Sequence, residues 1–177
     1  VSAVDRIAIL GAESTGKSTL AQALAAHYGT VWVSEYLREF VDTQGRVPYE
    51  DDQYHIACTQ LERENAAAAQ ASGILFCDTA PLMTAVYSRI YWGRVDAPLA
   101  ALARKHDYAL TLVAATDCPW EPDGLQRDSE DVRQRVHRQL LATLDEQGIP
   151  YVQVKGSLPQ RLRQVEALLG SPGAPLV

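Results

Sequence analysis

Gly11-Ala12-Glu13-Ser14-Thr15-Gly16-Lys17-Ser18 sets two glycines, a lysine and a serine at the GxxxxGKS spacing, with Thr19 directly behind. Such a turn between a strand and a helix presents a row of backbone N–H groups to an anion, at the positive end of the helix dipole. Lys17 adds a mobile charge for the outer phosphates of a nucleotide, and the Ser18 hydroxyl suits Mg²⁺. ATP and Mg²⁺ are therefore the expected cofactors.

Two carboxylates could act on a nucleotide bound there. Asp78 ends the apolar run Ile74 to Cys77, and a carboxylate there can share Mg²⁺ with Ser18 or orient an acceptor. The competing use of Asp78 is to cap the helix that starts near Pro81. Glu35 follows a second strand-like run, beside Arg38 and Glu39. It is a candidate base for a hydroxyl that attacks a phosphoryl group, and Asp78 is its rival. Arg38 can fork onto phosphate or substrate oxygens, unless it only forms a surface pair with Glu35 or Glu39. Arg127 lies in an irregular stretch and suits the role of a lid arginine that neutralises transferred charge, with Arg133 a lesser candidate. Tyr36, Tyr87, Trp92 and Trp120 are aromatic surfaces for a planar acceptor ring. Gly156 and Ser157, after the last strand, offer free backbone groups to an adenine edge.

The elements that must position these residues alternate strand and helix. Strands are expected at Val4 to Leu10, Thr30 to Ser34, Ile74 to Cys77, Tyr108 to Ala114 and Pro150 to Val154. Helices are expected at Thr19 to His27, Tyr36 to Thr43, Tyr49 to Ala71, Pro81 to Tyr91, Pro98 to Lys105, Val132 to Gln147 and Leu158 to Leu169. This is the pattern of an α/β P-loop NTPase with a five-stranded parallel sheet flanked by helices. One domain over 1–170 is expected, with a lid segment about 117–131 and a tail at 171–177. Thr116 to Asp131 holds two prolines and a glycine and lacks apolar periodicity, which suits a functional loop.

Composition narrows the function. A formal charge of -6 disfavours a nucleic-acid partner, and the longest apolar runs fall short of a membrane span. The three cysteines, Cys58, Cys77 and Cys118, lack metal-site spacing and read as reduced thiols of a cytoplasmic protein. A GTPase would need a guanine-reading N/TKxD segment, and none of Lys17, Lys105 and Lys155 provides one. No DxxG switch follows the third strand, where Asp78 leads into Thr79-Ala80-Pro81. The short body and single acid at that strand's end set aside an ATP-driven motor. Transfer to a small molecule is left, and a homo-oligomer is neither required nor excluded.

GAESTGKSTL, SEYLREFV, the stretch from Tyr49 to Gln60, ILFCDTAPLMTAVYS and TDCPWEPDGLQRD together resemble the ribosylnicotinamide kinase domain of the NadR type, over residues 4 to 169. The resemblance implies a nucleoside-kinase-like fold and transfer of the γ-phosphate of ATP to the 5′-hydroxyl of nicotinamide riboside, giving nicotinamide mononucleotide. Larger relatives carry DNA-binding and nucleotidyltransferase parts, for which 177 residues leave no room. A kinase for another nucleoside or polar metabolite, and a regulatory ATP-binding module, are the alternatives.

Overall fold

The computed structural model describes residues 4–122 and 129–172. Its five strands are β1 (Asp5–Leu10), β2 (Trp32–Val33), β3 (Ile74–Asp78), β4 (Leu110–Ala114) and β5 (Val152–Val154). They form one parallel sheet in the order β2-β3-β1-β4-β5. The helices are α1 (Lys17–Tyr28), α2 (Tyr36–Gln44), α3 (Gln53–Ala68), α4 (Pro81–Trp92), α5 (Ala97–Arg104), α6 (Glu130–Glu146) and α7 (Leu158–Leu169). None of these helices is long and apolar enough to cross a membrane.

Both faces of the sheet are covered, so its strands are apolar on both sides. On β1, Ile7 and Ile9 pack with Leu20 and Leu24 of α1 and Val165 of α7. Ala8 and Leu10 face Leu82 and Met83 of α4, Leu99 of α5 and Leu140 of α6. α1 buries Leu20, Ala21, Leu24 and Ala25 along one stripe, and Gly29 ends it with a left-handed φ of 65°.

The expected elements are present, with every strand but β3 shorter than expected; β3 runs one residue further, to Asp78. β2 keeps two residues of the expected five, and the expected helix from Tyr49 to Ala71 divides into a 3₁₀ turn, Glu50–Asp52, and α3. The Asp52 side chain explains the break: it accepts from the Tyr49 N–H at 2.7 Å and pairs with Arg46 at 2.7 Å, diverting the chain before α3 begins.

Register delivers the chemistry to one edge. β1 and β3 pair Ile9 with Asp78, so Asp78 ends level with the start of the glycine-rich loop. β2 and β3 pair Val33 with Cys77, so the chain leaves β2 toward Glu35 at the same edge. Open α/β sheets bind ligands at this carboxyl edge.

Away from that edge, Glu64 of α3 is fully buried. The Tyr108 hydroxyl lies 3.0 Å from both of its carboxyl oxygens, Arg6 Nη1 stands 3.6 Å away, and the Cys77 thiol is its third polar neighbour. Burial pushes the Glu64 carboxyl from 4.5 up to about 7, although Tyr108 and Arg6 pull the other way. A carboxyl raised by folding supports stability fully below its ordinary value, and that support is lost as pH rises through about 7. The shift corresponds to about 3 kcal/mol. Chemical denaturation from pH 5 to 8 should show wild-type protein losing stability relative to Glu64→Gln by up to about that amount. Parallel profiles would contradict this reading.

Candidate functional site

The glycine-rich loop holds its shape through left-handed residues at Ser14 (φ 54°) and Gly16 (φ 79°). A side chain is strained at such φ, which accounts for glycine at 16. Gly11 serves by its size: an added Cβ would lie 2.9 Å from Thr15 Oγ1 and 3.3 Å from the Ala114 carbonyl oxygen. Ala12 is buried, and its carbonyl accepts from the Thr15 hydroxyl at 2.7 Å. Glu13, Ser14, Thr15, Gly16, Lys17, Ser18 and Thr19 line a cavity of about 260 Å³, which Arg38 also borders.

Lys17 is nearly buried between two carboxylates, 3.4 Å from Glu35 Oε2 and 3.4 Å from Asp78 Oδ1. Burial alone would lower the Lys17 ammonium, but the Asp78 and Glu35 charges outweigh it and raise the pKa. Glu35 is shifted upward, chiefly by burial and further by Asp78, with Lys17 opposing. The Ser18 hydroxyl donates to Asp78 Oδ2 at 2.5 Å. Asp78 is not a helix cap: Ala80 occupies the N-cap of α4 without any side-chain cap bond. Glu35, at the N-cap of α2, also leaves the helix amides alone and turns its carboxylate to Lys17. Glu39 pairs with Arg63 at 2.7 Å.

A larger cavity, about 500 Å³, adjoins the first. Tyr87, Tyr91 and Trp92 of α4 line it, with Gln53 and Gln60 of α3, Thr79, Thr84 and Glu35. The Tyr87 and Tyr91 rings are stacked, 8° from parallel with centroids 5.9 Å apart. Glu35, Leu37 and Tyr87 line both cavities.

Several expected residues stand elsewhere. Tyr36 does not line the larger cavity; its ring meets Phe40 and His55, and the Arg63 guanidinium lies over it at 4.6 Å. Trp120 also stays out, because its indole N–H reaches Glu13 Oε1 in the glycine-rich loop at 3.5 Å. The free backbone groups expected at Gly156 and Ser157 are already used. Gly156 N–H donates to Asp117 Oδ2 at 2.6 Å, and its carbonyl accepts from Arg161. Ser157 N–H donates to Gln160 Oε1 at 2.7 Å within a capping box that starts α7. A base edge therefore finds these N–H groups occupied. Arg127 lies outside the described residues. Arg133, the other arginine considered, is buried and donates to the Ser14 and Cys118 carbonyls, each at 2.9 Å.

The site also contains residues that the sequence analysis passed over. Gln60 is buried and joins three main-chain groups: Tyr36 N–H donates to its Oε1 at 2.8 Å, and its Nε2 donates toward the Ser34 carbonyl (3.3 Å) and the Asp78 carbonyl (3.5 Å). It thereby ties the Glu35 segment to the Asp78 segment. The available signal was its place in the stripe Gln53, Ile56, Ala57, Gln60, Glu64, a buried helical face carrying polar side chains. Thr79 turns sharply out of β3 with φ 82°, rare for a β-branched residue, while its N–H still donates to the Ile9 carbonyl at 3.0 Å. Burial disfavours the Asp117 charge, but the Gly156 N–H and Arg161 together hold its carboxyl below the usual value.

Against known proteins, a family model described as an AAA domain matches residues 6–161, most of the chain. The chain belongs to that family. It is 29% identical over 181 residues to the trifunctional NAD biosynthesis/regulator protein NadR of Salmonella typhimurium, an alignment covering 96% of this chain and 44% of that protein. The similarity to NadR-type proteins read from the sequence is thus shown. A crystal structure of NadR in complex with NR superposes with a TM-score of 0.80 at 22% identity, covering 99% of this chain and 53% of that one. Deoxyadenosine kinase from M. mycoides superposes with a TM-score of 0.64 at 10% identity, over 92% of this chain and 97% of the kinase. The chain thus spans about half the length of the NadR proteins it matches, and its fold is the P-loop fold of nucleoside kinases and NadR.

Replacing Gln60 with Ala should strip a partner from three main-chain groups, of which the Asp78 carbonyl is buried and the Tyr36 N–H partly so. A loss of about 1–2 kcal/mol is expected, chiefly from the buried Asp78 carbonyl and the partly buried Tyr36 N–H left without this partner. Urea denaturation measures it, and a loss below about 0.5 kcal/mol, typical of surface substitutions, would contradict the bracing role.

Proposed function

We propose that the protein transfers the γ-phosphoryl group of ATP to the 5′-hydroxyl of nicotinamide riboside, giving nicotinamide mononucleotide. The observation that carries this reading is the position of Glu35 at the junction of the two cavities. A phosphate chain in the glycine-rich loop and a nucleoside in the aromatic cavity would meet at that carboxylate. The NadR relatives and the NadR complex with NR support the choice of riboside.

Glu35 orients the 5′-hydroxyl and takes its proton late in transfer, as the new O–P bond forms and the bond from Pγ to the departing ADP oxygen breaks. Its upward-shifted carboxyl has the basicity for this task. Lys17 moves its charge from the two carboxylates to the phosphate oxygens. Tyr87, Tyr91 and Trp92 offer ring faces to the pyridinium through stacking and cation–π attraction.

Ser18 and Asp78 suit Mg²⁺. They present a hydroxyl and a carboxylate, hard oxygen donors, and buried Asp78 Oδ1 is met by the Lys17 ammonium at 3.4 Å without a well-formed hydrogen bond. No group of three or more His, Cys, Asp or Glu that could hold a metal occurs among the described residues, and Mg²⁺ bound beside a nucleotide needs only one or two protein ligands. When bound there, the ion would neutralise charge on the phosphate oxygens.

ADP release should rise well above the water background with nicotinamide riboside, and EDTA should abolish it. Glu35→Gln should lower kcat about 10²–10⁴-fold while leaving ATP affinity nearly unchanged. Equal turnover with riboside and with water would overturn the riboside assignment, and a fully active Glu35→Gln enzyme would overturn the base.

A further inference from the structure

Resting on the reading that the glycine-rich loop takes a nucleotide, we propose that Arg161, paired with Asp117, is a positioning residue for the phosphate cradle. It works from behind, by fixing the direction of the loop's peptide planes. In a trans peptide a carbonyl and the next N–H point in opposite directions. Arg161 Nη1 donates to the Thr15 carbonyl at 2.5 Å, which turns the Gly16 N–H the other way. Arg133 holds the Ser14 carbonyl and the Thr15 hydroxyl holds the Ala12 carbonyl, which directs the N–H groups of Thr15 and Glu13 by the same geometry.

Arg161 is the most heavily committed of these groups. Its guanidinium is buried, and its remaining donors reach the Gly156 carbonyl (3.1 Å), the Ala115 carbonyl (3.3 Å) and Asp117 Oδ1 (2.7 Å). Three chain segments at the carboxyl edge, after β1, β4 and β5, therefore converge on one planar cation. Asp117 closes the arrangement by accepting from Gly156 N–H with its other oxygen. A buried Arg whose charge is met by one half-exposed carboxylate and several carbonyls is costly to desolvate, and stability alone is better served by an apolar contact. The charge also lies directly behind the peptide that faces the phosphates, where it polarises the N–H toward an anion.

Lysine cannot reproduce the fork, since its ammonium is a point charge with no planar spread of donors. Arg161→Lys should therefore weaken binding of ATP and of tripolyphosphate, which has no base, by the same factor of about tenfold or more. Binding is measured by calorimetry at a temperature where circular dichroism shows the variant folded. Asp117→Asn should move both affinities in the same direction by less, and it carries the test if Arg161→Lys does not fold. A purely structural Arg161 predicts a lower melting temperature with unchanged affinity of the folded protein, and that result overturns the inference. A loss seen for ATP and not for tripolyphosphate overturns it too, since it places the effect at the base. Wild-type protein that binds ATP but does not phosphorylate the riboside overturns the proposed reaction and leaves this inference standing, because no turnover enters the affinities.

Discussion

Lys17 between Glu35 and Asp78 is the interaction on which the site depends. Two carboxylates so near each other at a buried sheet edge repel, and removal from water penalises both. One ammonium at 3.4 Å from each makes the pair tolerable. The same ammonium is the group that a phosphate chain attracts. Nucleotide entry would draw Lys17 away from the carboxylates and leave Glu35 to an acceptor hydroxyl and Asp78 to a cation. On the proposed reaction, the resting ion cluster and the reacting site would use the same side chains with exchanged partners.

The rest of the fold keeps those side chains in reach. Parallel pairing brings the ends of β1, β2 and β3 to one level, and Gln60 binds the exits of β2 and β3 to each other. Thr79 bends the chain away immediately after Asp78, opening the wall that Tyr87, Tyr91 and Trp92 complete. On the opposite side of the glycine-rich loop, Arg161 and Arg133 hold carbonyls backward. A neutral amide therefore braces the strand exits that carry Glu35 and Asp78, and two cations brace the cradle itself, an arrangement suited to an anionic guest.

The sheet and the anion cradle were legible because their physics is local. A glycine-rich turn between an apolar run and an alanine-rich helix has few other uses, and α7 appears with the bounds that its Ser157–Gln160 capping box sets. What escaped was long-range. Trp120 lies next to a proline in an irregular stretch, and only the folded chain brings it to Glu13, 107 residues away. The Gly156 N–H was expected free because its acceptor, Asp117, is 39 residues distant. Gln60 and Arg161 sit on helix faces where sequence alone does not separate a buried polar brace from a solvated side chain.

On the proposed reaction, Glu35 stands where phosphate donor and acceptor would meet. A crystal structure with nicotinamide riboside and a non-hydrolysable ATP analogue tests it most directly. The riboside 5′-oxygen is expected within about 3 Å of a Glu35 carboxylate oxygen and in line with the terminal phosphate. A 5′-oxygen bound instead to Asp78, or a riboside seated outside the Tyr87–Trp92 cavity, would contradict it.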